Sequence, residues 1–200
     1  MIRNIIFDVG RVLVDFRWRE TMEDHGITGE RLNRLRRATL GSPMWNELDR
    51  SSLSDPEILE RFIQNDPEIE GDIRLMWQHN REMIRCYDYS HDWIRSLKKK
   101  GYSCYILSNY ARYTYGQTRE ELSFEELMDG SIFSWQVQQV KPEPAIFETL
   151  LERFSLKPAE CVFLDDTRAN VEAARALGIR GIVFESYGQA REELKRLGVE

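Results

Sequence analysis

Three apolar runs in this sequence stop on residues that could do chemistry together. Ile5-Ile6-Phe7 ends at Asp8, Tyr102 to Leu107 ends at Ser108-Asn109, and Cys161-Val162-Phe163-Leu164 ends at Asp165-Asp166. In open α/β sheets, ligands bind beyond the carboxyl ends of the strands. A single strand-ending Asp is an ordinary turn residue, but three such ends converging describe a site. Carboxylates gathered there repel and raise one another's pKa unless a cation lies between them. Oxygen donors without His or Cys suit Mg2+, which takes carboxylates, a carbonyl and waters. With the ammonium of Lys141 and the small donors Ser108 and Asn109, the set suits a phosphoryl group.

The elements that must position these residues show in the hydrophobic pattern. Ile5-Ile6-Phe7 is β-branched and aromatic with no polar alternation, the mark of a parallel strand buried on both faces. Arg11 to Phe16, with Val12-Leu13-Val14 at its centre, predicts a short strand or hairpin. From Arg17 to Tyr87 the signals are helical. Ser54-Asp55-Pro56-Glu57 is a capping box with an early proline, and Asp66-Pro67-Glu68 repeats the device before Ile69, Ile73, Met76, Trp77, Asn80 and Ile84. After that the alternation returns. A helix through Trp93, Ile94 and Leu97 closes on Lys98-Lys99-Lys100 and Gly101, and Ser131 to Ser134 predicts a short strand. Helices through Ile146 to Phe154 and through Val171 to Leu177 flank the Cys161 strand. Gly181 to Phe184 then reads as a strand and Ala190 to Leu197 as a closing helix. Strands alternating with helices indicate an α/β fold with a doubly wound parallel sheet. The expected organisation is a core of residues 1–16 and 88–200, with a helical cap of residues 17–87 inserted after the first strand.

Bulk properties exclude several classes. The 200 residues are 42% hydrophobic and 31% charged, the balance of a globular protein with one good core and room for a smaller lobe. A net charge of −6 argues against a general nucleic-acid or anionic-membrane binder. No apolar run approaches membrane-spanning length, and a strand at the amino terminus leaves no room for a signal peptide. Cys86, Cys104 and Cys161 lack metal spacing and read as thiols of a reducing compartment, so the expected location is the cytoplasm.

Phe7-Asp8-Val9-Gly10, Leu107-Ser108-Asn109, Val140-Lys141-Pro142-Glu143 and Leu164-Asp165-Asp166 resemble the four motifs of the haloacid-dehalogenase-like (HAD) superfamily, in order and across the whole chain. The wider strings Asp-Val-Gly-Arg-Val-Leu-Val-Asp and Asp-Asp-Thr-Arg-Ala-Asn-Val-Glu-Ala-Ala are similar to the branch with alpha-D-glucose-1-phosphate phosphatase and the phosphatase domain of soluble epoxide hydrolase. The resemblance implies a HAD-like Rossmannoid core and a phosphatase in which Asp8 attacks phosphorus, forms an aspartyl-phosphate and also binds Mg2+. It implies further metal ligands at the Gly10 backbone carbonyl and Asp166, with Asp165 behind them. Ser108, Asn109 and Lys141 would hold phosphate oxygens, and Lys141 would offset charge in the transition state.

Two positions depart from that pattern. Most HAD phosphatases carry a second Asp where this chain has Gly10; that Asp protonates the leaving oxygen and later activates water. Such help is typically worth about 10²–10⁴ in rate. The glucose-1-phosphate branch shares the glycine, and an anomeric phosphate leaves more readily. Asp15 or a water ordered by the cap would be candidate proton donors, although Asp15 reads equally as a hairpin carboxylate. Arg11 stands where that branch has asparagine; it either binds a substrate anion or faces solvent. In the cap, Trp18 and Trp45 are the candidates for a substrate pocket, since aromatic faces suit sugars, whereas Trp77 reads as core. Arg31, Arg34, Arg36 and Arg37 read as the solvated side of a cap helix. The expected activity is therefore Mg2+-dependent hydrolysis of a small phosphorylated metabolite, a sugar phosphate favoured. The rivals are a metal-independent haloacid dehalogenase, which would gain nothing from Asp165 and Asp166, and a binding protein impaired at Gly10.

Overall fold

The computed structural model describes residues 1–199; Glu200, the last residue of the expected core segment, lies outside them. Seven strands run through the described chain: β1 (Asn4–Phe7), β2 (Val14–Phe16), β3 (Ile84–Cys86), β4 (Ser103–Ser108), β5 (Gly130–Phe133), β6 (Cys161–Asp165) and β7 (Arg180–Val183). Five of them form one sheet in the order β5-β4-β1-β6-β7, with every pairing parallel. The chain builds outward from β1 on one side through β4 and β5, then returns to the other side for β6 and β7. The carboxyl end of β1 is thus the switch point, where open parallel sheets bind ligands.

Side chains alternate across the sheet, so each strand feeds two apolar layers. Ile5 and Phe7, Cys104 and Ile106, and Val162 and Leu164 point into one cluster; Ile6, Tyr105, Leu107 and Phe163 point into the other. The first layer is closed by α6 (Ser90–Lys99) through Trp93, Ile94 and Leu97, and by α11 (Tyr187–Arg196) through Ala190 and Leu194. The second is closed by α9 (Pro144–Arg153) through Ile146, Phe147 and Leu150, and by α10 (Arg168–Ala176) through Ala174. With both faces covered, β1 has no exposed residue to alternate with, which is why its apolar run is unbroken. Shorter helices α7 (Arg112–Gln117) and α8 (Ser134–Val137) follow β4 and β5.

Five helices, α1 (Trp18–Asp24), α2 (Gly29–Ala38), α3 (Met44–Arg50), α4 (Asp55–Asn65) and α5 (Glu70–Gln78), pack about a third apolar cluster that includes Met22, Leu35, Phe62 and Ile73. The capping box opens α4 as expected, with the Ser54 N–H donating to Glu57 Oε2 at 2.9 Å. The helix expected to run on to Ile84 stops at Gln78, and a 3-10 turn over Asn80–Met83 leads into β3. Ile84 pairs instead with Phe16 in an antiparallel β2–β3 ribbon, a strand that the all-helical reading of residues 17–87 did not include. The arginines of α2 are more than a solvated face. Arg34 forks onto Asp66 at 2.6 and 2.8 Å, and Arg31 reaches Asp72.

Gly130 opens β5 where a Cβ would lie 2.3 Å from the Phe154 ring at the end of α9, so any side chain there must push that ring aside. Gly130→Val is therefore expected to lower stability by about 1–3 kcal/mol in urea denaturation. Gly71→Ala, in the exposed face of α5 with open space around it, should instead raise it by about 0.5–1 kcal/mol.

Candidate active site

The centre of the site is a buried ammonium. Lys141, just before α9, carries a side chain 1% exposed, and its Nζ lies 2.8 Å from Asp8 Oδ1 and 2.6 Å from Asp165 Oδ2. Asp8 follows β1 and Asp165 ends β6, so adjacent parallel strands deliver both carboxylates to one cation. Ser108, at the end of β4, donates from its hydroxyl to Asp8 Oδ1 at 2.7 Å. Both contacts on Asp8 end on Oδ1, and no hydrogen bond from the described residues reaches Oδ2. Asp165 is locked further by the Thr167 N–H at 2.7 Å and by the Asn170 amide at 3.0 and 3.1 Å.

Asn109 positions Lys141. Its side-chain amide donates to the Lys141 carbonyl at 3.0 Å, and its Oδ1 accepts the Lys141 N–H at 2.8 Å, a two-way clamp between the β4 end and the lysine loop. One oxygen each from Asp8, Asp165 and Asp166 lies within 4.8 Å of the others. Gly10 lines one cavity with Asp8 and Asp166, and its carbonyl takes no hydrogen bond from the described residues. Hard oxygen donors at this spacing fit a divalent cation such as Mg2+.

Electrostatics agree with that fit. Burial pushes the Asp8 carboxyl above its usual range and the charge of Asp165 adds to the rise, against Lys141. Asp166 is raised by burial and then by Asp165. Burial works against the Lys141 ammonium, but the carboxylates of Asp165 and Asp8 outweigh it and hold its pKa above normal. A bound cation would favour the ionised forms of both raised carboxyls.

Over these groups opens a cavity of about 510 Å³ between the sheet edge and the helical lobe. Its far wall carries Phe16, Trp45, Asn80 and Met83. Of the cap residues expected there, Trp45 lines the cavity. Trp18 does not; it is buried inside the helical lobe beside Met22, because α1 turns its apolar face inward. Asp15 is not at the cavity either. Its β2 position sends it to Arg17 at 3.8 Å and to the Tyr87 hydroxyl, the place of a hairpin carboxylate. Trp77 is core, stacked on Tyr113 at 4.5 Å. Arg11 sits at the rim, 58% exposed in its side chain, with Nη1 3.5 Å from Asp166 Oδ2.

Two cavity residues went unnoticed in the sequence. Asn80 was legible only as one position on an apolar helical face, yet it is buried with its Oδ1 lacking any hydrogen-bond partner among the described residues. Asp49 lies four residues after Trp45 and so on the same face of α3, a spacing that could have flagged it. Its residue is 8% exposed, and burial, then the nearby charge of Asp8, push its carboxyl from 3.8 to about 7.

The haloacid dehalogenase-like hydrolase family matches residues 2–178, and the chain belongs to that family. Bifunctional epoxide hydrolase 2 of Mus musculus is 37% identical over 108 residues, 51% of this chain and 19% of that protein. The chain thus spans about a fifth of the epoxide hydrolase it matches. A phosphatase of Mycobacterium tuberculosis is 23% identical over 98% of this chain and 93% of its own length. In fold, a HAD family enzyme from Bacteroides thetaiotaomicron, solved in complex with magnesium and inorganic phosphate, superposes with a TM-score of 0.73 at 20% identity. That match covers 95% of this chain and 99% of the other.

Two outcomes follow for the metal-free protein. Lys141→Met leaves two buried carboxylates uncompensated and should lower stability by about 3–5 kcal/mol in urea denaturation. Asp49 keeps its proton in the folded chain up to about pH 7 but loses it near pH 4 when unfolded, so its contribution to stability falls as pH rises through that window. Asp49→Asn should therefore melt higher than the wild type by a margin that grows from pH 5 to pH 8.

Proposed function

We propose that this chain is a Mg2+-dependent phosphomonoesterase acting through an aspartyl-phosphate on Asp8, with a sugar phosphate as the favoured substrate. The observation that carries the reading is the buried Lys141–Asp8 contact at the mouth of an open cavity, with Asp165 and Asp166 alongside. Mg2+ held by Asp8, Asp166 and the Gly10 carbonyl, with Asp165 behind them, would supply positive charge at the phosphoryl oxygens. The chain's own residues do the rest. Ser108 and Lys141 fix Asp8 through Oδ1, and Oδ2 attacks phosphorus. Lys141, kept protonated by its two carboxylates, offsets the charge that develops on the phosphoryl group, and the Asn109 N–H, with the Ser108 hydroxyl once it turns from Asp8, holds its oxygens.

The cap wall supports a polyhydroxylated leaving group. Trp45 and Phe16 offer apolar faces, and the orphan Asn80 Oδ1 is a buried acceptor that a sugar hydroxyl would satisfy. The M. tuberculosis relative, named as a phosphatase, favours the same chemistry. A metal-free dehalogenase would have no use for Asp166. Arg11 at the rim can meet a second anionic group on the substrate. Among the described residues no helix is long and apolar enough to cross a membrane. The free Cys86, Cys104 and Cys161 support a reducing, cytoplasmic setting.

Phosphate release from a panel of hexose and alkyl phosphates is expected with Mg2+, and none with chelator or in Asp8→Asn; metal-independent turnover of a haloacid would contradict the reading. Asn80→Leu removes one acceptor for a neutral hydroxyl and should lower kcat/KM for the best sugar phosphate about 3- to 10-fold. The same variant should leave p-nitrophenyl phosphate nearly unaffected.

A further inference from the structure

Gly10 leaves the site without the carboxyl that would protonate a leaving oxygen, and nothing in the backbone demands a glycine. Its φ lies outside the left-handed region, and an added Cβ would meet no atom within 4 Å. A side chain elsewhere on the cavity wall could take over that proton transfer. Among the described residues that wall holds three carboxyl groups and no histidine. Asp8 is the nucleophile and Asp166 belongs to the cation cluster, so Asp49 is the carboxyl left. The Tyr110 phenol is engaged with Thr118 at 2.8 Å, and burial pushes its pKa further up.

Asp49 differs from the other buried acids of the site. No described donor hydrogen-bonds its carboxylate, whereas Asp8 and Asp165 are each held by at least two groups. Asp49 and the two residues after it, by contrast, are tied to the core. Ser134 Oγ donates to the Asp49 carbonyl at 2.7 Å, and the same oxygen accepts the Tyr110 N–H at 2.9 Å. Arg50 donates to the Gln138 carbonyl at 3.2 Å and pairs with Glu143, two residues from Lys141. The Arg112 N–H donates to Ser51 Oγ at 3.0 Å. The end of α3 is thereby fixed over the strand ends, with one unpartnered carboxyl on the cavity.

We propose that Asp49, reaching in from the helical lobe, is the general acid and base of this site in place of the side chain that Gly10 lacks; the proposal rests on the phosphatase reading. In the first step Asp8 bonds to phosphorus, the bond from phosphorus to the leaving oxygen breaks, and the Asp49 proton passes to that oxygen, releasing the alcohol. In the second, water attacks phosphorus, its proton goes to the Asp49 carboxylate, and the bond from Asp8 to phosphorus breaks. Phosphate leaves, and both residues return to their starting forms. Lying on the cavity wall with no described hydrogen-bond donor on it, the Asp49 carboxyl can give a proton to the leaving oxygen and take one from water. The groups facing it are Asp8, Lys141 and Tyr110, with Arg11 and Asp166 farther along the wall and Arg50 turned away to Glu143 and Glu47.

The test compares Asp49→Asn with the wild type in Mg2+ on two esters. An alkyl phosphate needs its leaving oxygen protonated, whereas 2,4-dinitrophenyl phosphate does not. For the variant, turnover of the alkyl ester should fall about 10²- to 10⁴-fold. The dinitrophenyl ester should give a burst of one dinitrophenolate per chain, then slow turnover. Acid quenching during that slow phase should show the chain heavier by one phosphoryl group. Equal losses on both esters without a burst would mark a merely structural residue and overturn the proposal, as would unchanged activity. A wild-type chain that is never phosphorylated by either ester would sink the phosphatase reading together with this one. A wild type that turns over normally confines any failure to Asp49.

Discussion

One cation buried between two carboxylates organises this molecule. Lys141 is shielded from water where it lies, and its charge opposes the burial that pushes the Asp8 carboxyl up. Each partner is in turn held by groups that serve that end: Ser108 on Asp8, Asn170 and the Thr167 N–H on Asp165, and the Asn109 clamp on the lysine backbone. Such a network contributes little to stability compared with an apolar core of the same volume. What it provides is a fixed carboxylate, Asp8, with compensating charge on one side and an open cavity on the other.

The sheet supplies this arrangement through strand order. β1 lies in the middle, so β4 and β6 flank it on either side and all three end at the same edge. Period-2 alternation commits Ile5, Ile6 and Phe7 to two apolar layers, which fixes the register and hence the height at which Asp8 emerges. The helical lobe then faces that edge. It is fastened by the β2–β3 ribbon and by the Ser134, Arg50 and Ser51 contacts around α3.

The part of this legible in the sequence is the part encoded locally. An apolar run stopping at Asp8, at Ser108 or at Asp165 is a strand end whatever the rest of the chain does, and strand ends of a parallel sheet share an edge. The cap was harder because its residues face the site only through tertiary packing. Trp18 and Trp45 have equal claims by composition, yet α1 turns Trp18 into the lobe while α3 turns Trp45 to the cavity. Asp49 looked like any charged residue near a helix end. Its placement on the cavity wall depends on Ser134 and Glu143, some 85 and 93 residues away in sequence from the α3 residues they hold. Ile84 fitted a helical period and was claimed instead by Phe16 across the ribbon, a long-range pairing that outweighs local spacing.

The most direct test of the central claim is a crystal structure of the chain grown with Mg2+ and beryllium fluoride, a mimic of the phosphorylated aspartate. The beryllium fluoride adduct is expected on Asp8, with one Mg2+ shared by Asp8 and Asp166 and with Lys141 and Ser108 in contact with the adduct. An adduct absent from Asp8, or a cation bound away from Asp166, for example at the half-buried His25 and His79 and the exposed Glu82 of the helical lobe, would overturn the central claim.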